Sequence, residues 1–188
     1  NQNTLSQINL DYVKEHNIPV VRRLSGGGAV FHDPGNINFT FITNNNQNSF
    51  SNFKKFTYPI IEVLSKLSID ARLSGRNDLT IEGKKFSGNA QYIYHSKILH
   101  HGTLLFSSNV NHLTNALKVD PNKFKGKGIK SVASRVTNIQ EHLNTSLTID
   151  EFKYLVMNHI LENYNGEMYK LSDTDIQSVQ KMVDEKYS

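Results

Sequence analysis

Apolar side chains recur every three or four residues in several parts of the chain, which is the spacing of one face of an α-helix. The clearest case predicts an amphipathic helix from Ser51 to Lys66. Its apolar positions are Phe53, Phe56, Ile60 and Leu64, and the same spacing continues to Leu67, just beyond the predicted end. Weaker patterns predict a short helix from Ser6 to His16 and another that carries Val110, Leu113 and Leu117.

Two further helix starts are marked by capping boxes, in which a hydroxyl side chain and a carboxylate three residues later close the first turn. Thr148-x-x-Glu151 predicts a helix whose inward residues are Phe152, Leu155, Val156 and Ile160. Ser172-x-x-Asp175 predicts a last helix whose inward residues are Ile176, Val179 and Val183.

Strand patterns fill the space between these helices. Ile18 to Arg23 is rich in β-branched residues, and residues 38–42 alternate between the two faces of a strand after a turn at residues 33–36. A long β-like region from Ala71 to Phe106 is divided by the turn Glu82-Gly83-Lys84, which is too short for a parallel crossover. The predicted fold is therefore α+β, with a mixed, mostly antiparallel sheet and helices packed on it.

Composition narrows the function classes. The 188 residues suffice to bury the core of one domain, and the absence of cysteine excludes disulfides, thiolate metal sites and a thioester on the enzyme. No apolar run approaches the ~20 residues of a membrane helix, and no leader is visible, so we expect a cytoplasmic protein without a membrane partner. The net charge is +4, but the lysines are scattered and no arginine-rich arm is present, so we expect no nucleic-acid partner.

The densest cluster of glycines lies in the string RRLSGGGAVFHD, residues 22–33. Three consecutive glycines allow positive φ angles and a close approach of the backbone to a ligand, and successive N–H groups can hold an anion. Arg22 and Arg23 can bind the same anion through paired N–H groups. A flexible loop between strands explains the glycines equally well, because the string is neither a Walker A loop nor a dinucleotide-binding fingerprint.

A polar stretch, Gly75-Arg76-Asn77-Asp78-Leu79, precedes a predicted strand. The side-chain oxygens of Asn77 and Asp78 are of the kind that Mg²⁺ prefers. The pattern alone favours an ordinary polar turn, because Asn and Asp are frequent turn residues.

The strand that follows carries an unusual polar row. Strand alternation predicts Lys85, Ser87, Asn89 and Gln91 on one face, and on the other Phe86, Gly88, Ala90 and Tyr92. A polar face headed by a lysine suits the lining of a ligand cavity, and Gly88 suggests a close approach of a ligand or another chain segment. A solvent-exposed sheet face has the same pattern.

Two more stretches carry candidate chemistry. In His100-His101-Gly102-Thr103, one histidine shares the face of Thr103 and the other points to the opposite face. Either can be a core histidine, which is the simpler interpretation for at least one of them. The lysine-rich loop from Lys123 to Lys130 is suited to fold over a phosphate-bearing ligand, and an ordinary surface loop has the same composition.

Together these stretches resemble the lipoate–protein ligase family. The matching strings are RRLSGGGAVFHDPGNINFTF, GRNDLTIEGKKFSGNAQ, HHGTLLF and KGKGIKSVASRVTN, which follow the family's order. The resemblance implies a catalytic domain related to biotin–protein ligases and class II aminoacyl-tRNA synthetases. It implies that ATP and Mg²⁺ activate lipoate to lipoyl-AMP, and that the lipoyl group passes to a lysine of an acceptor domain of a 2-oxoacid dehydrogenase or the glycine-cleavage H protein.

The resemblance also implies roles for single residues in adenylate formation. Lys85 matches the catalytic lysine between the phosphate and the lipoyl carboxyl oxygen. Arg23 matches an arginine beside the nucleotide. The backbone stretch that holds the adenylate corresponds to Gly28, Ala29, Val30 and Phe31.

Further roles follow from the same matches. Asn77 and Asp78 match a polar pair near Mg²⁺ and the phosphates. Lipoate is expected to contact Lys85, Gly27 and His101, and residues 125–130 match a segment that orders over the adenylate. We interpret residues 1–188 as the catalytic domain, and expect the family's N-terminal segment and C-terminal accessory domain to lie outside this sequence.

Two alternatives to a ligase stay open. One is a non-catalytic protein that binds lipoate or lipoyl-AMP, and the other is an octanoyl or lipoyl transferase that uses a ready-made donor without ATP. A transferase that depends on a catalytic cysteine is excluded, because the chain has none. The choice between lipoate and octanoate, the acceptor protein and the oligomeric state are not determined by the sequence.

Overall fold

The computed structural model describes residues 3–45, 52–118 and 135–186. Its helices and strands, in chain order, are α1 (Leu10–Glu15), β1 (Asn36–Asn44), α2 (Phe53–Lys66), β2 (Ala71–Ser74), β3 (Asp78–Ile81), β4 (Lys84–Tyr94), β5 (Lys97–Leu105), α3 (Val110–Ala116), α4 (Ile149–Asn163) and α5 (Asp173–Lys186). Two short 3₁₀ helices, Thr4–Ser6 and Ile139–His142, complete the described elements. The predicted lysine-rich loop and residues 46–51 before α2 lie outside the described residues.

The five strands form one sheet in the order β1-β5-β4-β3-β2, and every neighbouring pair is antiparallel. The predicted α+β class is therefore confirmed. The short turn between β3 and β4 is also confirmed: Glu82 and Gly83 adopt φ angles of 51° and 76°, the left-handed pair that a two-residue hairpin requires.

One face of the sheet packs against α2 and α4. Ile60 and Leu64 of α2 and Phe152 of α4 are fully buried against strand residues such as Leu79 and Leu104. Helix α2 matches its prediction closely, although Asn52 rather than Ser51 precedes it and accepts a hydrogen bond from the Lys55 N–H. Helices α1 and α3 lie together and are joined by a 2.6 Å hydrogen bond between Tyr12 Oη and His112 Nδ1.

The predicted strand over Ile18–Arg23 is wrong, because residues 18–33 form no regular element. Val20 and Val21 are 50% and 64% exposed. β-Branched residues favour an extended chain, but a strand also needs a neighbour to take its hydrogen bonds. No strand in the described part of the chain pairs with this segment.

The burial predicted for the C-terminal helices is confirmed only in part. Both capping boxes are present, through Glu151 N–H to Thr148 Oγ1 and Asp175 N–H to Ser172 Oγ. Phe152 is fully buried, whereas Leu155 is 38% exposed. In α5 no residue is buried, so the predicted inward positions are wrong: Ile176, Val179 and Val183. An apolar stripe becomes buried only where another surface covers it, and among the described residues none covers this one.

No helix in the three described ranges combines the length and the apolar character needed to cross a bilayer.

Candidate active site

A β-bulge determines where Lys85 points. The pairing of β3 with β4 shifts between Leu79 and Thr80, so Leu79 pairs with Ser87 while Thr80 pairs with Lys85, and Phe86 is the extra residue. The predicted common face for Lys85, Ser87, Asn89 and Gln91 is therefore wrong. Lys85 shares its face with Gly88, since a side chain at Gly88 would meet Lys85 Nζ at 3.1 Å. We call this side of the sheet, opposite to α2, the open face.

On the open face Lys85 is held by an ion pair. Its Nζ lies 2.7 Å from Asp78 Oδ1, and both side chains are about two-fifths exposed, at 42% and 39%. Asp78 pairs with Gly88 across the strands, so the lysine folds back over a position that carries no side chain. The ammonium group therefore has a defined place on the surface of the sheet and remains accessible to a ligand.

The glycine string folds around Arg23. Gly27 has a φ of +121°, and any side chain there would overlap the Arg23 guanidinium. Arg23 Nη2 donates a 2.8 Å hydrogen bond to the Gly28 carbonyl oxygen. Glycine at position 27 therefore meets two requirements, the left-handed backbone and the close arginine. The structure thus brings together Arg23, Gly27 and Gly28, which the family resemblance assigns to ligand binding.

Ser25 joins this loop to the open face. Its Oγ lies 2.5 Å from His101 Nε2, and the serine is only 7% exposed. His101 pairs with Ala90, and Thr103 pairs with Gly88. The two pairs are two residues apart along each strand, so the side chains of both pairs point to the same face, which is the open face. Two residues of an extended strand span roughly 7 Å, so Lys85 and the glycine loop meet the same patch of sheet.

The predictions did not include Ser25 among the site residues. Its position beside three glycines was a signal, but the partner 76 residues away could not be read from the pattern.

The nitrogen groups around the loop influence one another's protonation. Burial, and then the charges of Arg23 and His32, lower the pKa of His101 below its ordinary 6.5. Burial is also the main cause that lowers the pKa of His32, and Asn38 acts in the opposite direction. Burial lowers the pKa of Arg23 too, but a guanidinium stays charged. The site therefore combines a fixed cation with imidazoles held neutral near pH 7, which suits an anionic ligand.

The adjacent histidine belongs to the core, as expected for one of the pair. His100 is fully buried and stacks on Phe56 with ring centroids 4.7 Å apart. Its Nε2 lies 3.3 Å from Asn89 Oδ1, and Gln91 Nε2 lies 3.2 Å from its Nδ1. These polar residues form a hydrogen-bonded layer beneath the sheet rather than the wall of a cavity.

The two predicted Mg²⁺ ligands differ in their surroundings. Asn77 Nδ2 donates a 2.7 Å hydrogen bond to the Asn89 carbonyl oxygen, so this amide is used within the sheet. Asp78 projects onto the open face beside Lys85. In the described ranges no three His, Asp or Glu side chains cluster as metal ligands. Asp78 fits an ion that is held mostly by substrate phosphates, as Mg²⁺ often is, and the Asn77 side-chain oxygen stays a predicted second ligand.

The remaining predicted residues follow the glycines along the chain. Ala29 N–H donates a long 3.4 Å hydrogen bond to Gln7 Oε1, and Val30 is 41% exposed. Phe31 is half-buried. This stretch borders the Arg23 loop along the chain, and its residues are exposed or half-buried.

Comparison with known sequences gives consistent matches. A family model described as the lipoyl protein ligase A/B catalytic domain matches residues 1–161. Lipoate–protein ligase 1 of Staphylococcus aureus is 50% identical over 187 residues, which is 100% of this chain and 57% of that protein. Lipoate-protein ligase LplJ of Bacillus subtilis is 49% identical over 190 residues, with the same coverage of 100% and 57%. The chain therefore spans little more than half the length of these curated relatives.

Solved structures share the fold. A bipartite lipoate protein ligase from Thermoplasma acidophilum, studied with its E2 lipoyl domain, superposes with a TM-score of 0.83 at 28% identity, covering 99% of this chain and 74% of that one. LipL1 of Plasmodium falciparum in complex with lipoate gives a TM-score of 0.72 at 34% identity, covering 92% and 47%.

Proposed function

The chain belongs to the lipoyl protein ligase A/B catalytic domain family, and from this membership we propose that it activates lipoate with ATP and transfers the lipoyl group to a lysine of an acceptor domain. The observation that carries the proposal is the shared placement of two groups on the open face. The Lys85 ammonium lies over Gly88, and the Arg23 glycine loop is tied to the same strands through Ser25 and His101.

In the first step, a lipoate carboxylate oxygen attacks the α-phosphorus of ATP, and the bond to the pyrophosphate oxygen breaks. The reaction brings two anions together, so its barrier falls where fixed positive groups lie close to both. Lys85 is proposed to lie between the phosphate and the carboxylate, with Arg23 beside the nucleotide. Bound Mg²⁺ would neutralise phosphate charge, and Asp78 is the described residue that would help to hold it.

The main chain of Gly28, Ala29, Val30 and Phe31 is proposed to line the adenylate, and Gly27 and His101 to contact the lipoyl group. His101 is held neutral, so it offers hydrogen bonding without an added charge. The lipoate-bound Plasmodium falciparum relative supports lipoate as the acyl substrate. The alternative acyl substrate is octanoate, and ATP–pyrophosphate exchange measured with lipoate and with octanoate would show which acid the protein prefers.

In the second step, the acceptor lysine amine attacks the carbonyl carbon of lipoyl-AMP. An amide bond forms, the bond to the AMP oxygen breaks, and the amine loses a proton. The mixed anhydride is already an activated acyl donor, so no enzyme thioester is required, in keeping with a chain that has no cysteine. The Thermoplasma acidophilum system, with its E2 lipoyl domain, supports a lipoyl domain as acceptor. We place the reaction in the cytoplasm.

Intact-mass analysis of an acceptor lipoyl domain tests the proposal. After incubation with this protein, lipoate, ATP and Mg²⁺, the acceptor is expected to gain the mass of one lipoyl group. A mass gain without ATP would instead support an acyl transferase. Tight binding of lipoyl-AMP with no mass gain would support a non-catalytic binder.

A further inference from the structure

Lys85 lies where its strand loses a neighbour. Pairing between β4 and β5 includes Ser87 with Leu104 but does not extend to Lys85, and the chain turns away at Phe106, whose N–H donates to the Gly35 carbonyl oxygen. At Lys85, the edge of β4 that β5 no longer covers is covered by residues 136 and 137. Val136 forms a parallel bridge with Lys85, and the Thr137 N–H donates a 3.0 Å hydrogen bond to the Lys85 carbonyl oxygen.

The side chain of Thr137 is fixed by two partners. It is 1% exposed, and its hydroxyl lies 3.2 Å from Glu141 Oε2 and 2.8 Å from His142 Nε2. A threonine hydroxyl has a single proton, so when it donates to Glu141 it accepts a hydrogen bond from His142. We call Thr137, Glu141 and His142 the threonine clamp.

The clamp is anchored on its far side as well. The Asn138 side chain accepts from the Ser108 N–H at 2.9 Å and donates to the Ser108 carbonyl oxygen at 3.0 Å. Gln140 N–H donates to the Phe106 carbonyl oxygen at 3.0 Å. The segment therefore connects the start of β4 to the end of β5, and a displacement of Thr137 is transmitted to the peptide of Lys85.

We propose that Thr137 is a positioning residue for Lys85, which it holds in register for adenylate formation through the threonine clamp. The proposal rests on the proposed role of Lys85. The strand is bulged at this point and lacks β5, so the Thr137 N–H supplies the missing ladder hydrogen bond, and the clamp fixes the position of Thr137. A shift of about 1 Å in a positioned group can cost up to about 100-fold in rate, so a small displacement of Lys85 is enough to be measured.

Thr137→Val removes the hydroxyl while keeping the shape of the side chain and the N–H bond to Lys85. Its matched control is Thr57→Val, because Thr57 is also fully buried and donates a 2.9 Å hydrogen bond to the Phe53 carbonyl oxygen in α2, away from the open face. In lipoate-dependent ATP–pyrophosphate exchange, we expect kcat to fall roughly ten-fold in Thr137→Val with KM for ATP and lipoate changed less than about two-fold. Thr57→Val and the conservative Thr137→Ser should keep kcat. Equal kcat in the two valine variants would overturn the proposal.

A second measurement separates positioning from general loosening. Calorimetry with lipoyl-AMP compares Thr137→Val in the native and the Lys85→Ala backgrounds. We expect weaker binding only where Lys85 is present, and equal weakening in both backgrounds would overturn the proposal. If Thr137→Val does not fold, His142→Leu is used in its place, because it removes one hydrogen-bond partner of the Thr137 hydroxyl. The expected and the contradicting results are then the same as for Thr137→Val. If Lys85→Ala itself leaves exchange unchanged, the proposed function fails, and this result is distinct from failure of the clamp alone.

Discussion

His100 makes the stability of the fold sensitive to mild acid. Its imidazole is fully buried between the sheet and α2, where it contacts Phe56 and Phe53. Burial, and then the neighbouring His101, lower the pKa of His100 from 6.5 to about 4. Protonation at Nδ1 would turn an acceptor of the Gln91 amide into a donor and place a charge in the core.

The sign follows from proton linkage. As the pH falls below 6.5, the unfolded chain binds a proton at His100 while the folded chain does not, so stability is lost until the pH reaches the folded pKa of about 4. The shift corresponds to roughly 3 kcal/mol in total and to roughly 2 kcal/mol at pH 5. Above pH 6.5 this contribution is fully present.

Urea unfolding at pH 7.5, 6.5, 5.5 and 4.5 measures the effect. Other groups titrate in the same window, so the informative quantity is the difference between the native protein and His100→Gln, which retains an amide but does not titrate. We expect the native protein to lose roughly 1.4 kcal/mol more than the variant between pH 7.5 and 5.5, and more again at pH 4.5. If both proteins lose the same unfolding free energy as the pH falls, His100 is not the group that causes the loss.

Two further predictions concern packing and the position of the lysine. Phe152→Ala should lower the free energy of unfolding by about 3–5 kcal/mol because it leaves a cavity against Phe106, whereas the exposed Leu155→Ala should change it by less than about 0.5 kcal/mol, as urea unfolding would show. Gly88→Ala would place a methyl group 3.1 Å from Lys85 Nζ and 3.2 Å from its Cε. We expect Gly88→Ala to slow ATP–pyrophosphate exchange with little change in the unfolding free energy. Unchanged exchange would show that Lys85 does not need the space above Gly88.

Local signals in the sequence predicted the parts of the fold that depend on neighbouring residues. The capping box at Thr148 and the turn at Glu82-Gly83 involve residues within three positions of each other, so their chemistry can be read directly. The amphipathic pattern of α2 was sufficient because the sheet covers its apolar face. The same kind of pattern failed in α5, because amphipathicity does not show whether a covering surface is present.

The candidate site was harder to predict because it depends on a bulge and on distant contacts. Strict alternation placed Lys85 with Ser87, and one extra residue at Phe86 moved the lysine to the opposite face. Ser25 and Thr137 act through partners far along the chain, His101 and Lys85, which no periodicity reveals. The family resemblance predicts a role for Lys85, and the structure places this lysine on the open face beside Gly88.

Lipoate-dependent ATP–pyrophosphate exchange measures directly whether the Lys85 ammonium on the open face is required for adenylate formation. Lys84→Ala is the matched control for Lys85→Ala. Lys84 is the preceding residue, it is exposed, and its side chain points away from Gly88. We expect exchange in the native protein and in Lys84→Ala, and its loss in Lys85→Ala at an unchanged unfolding free energy. Equal exchange in all three proteins would contradict this expectation.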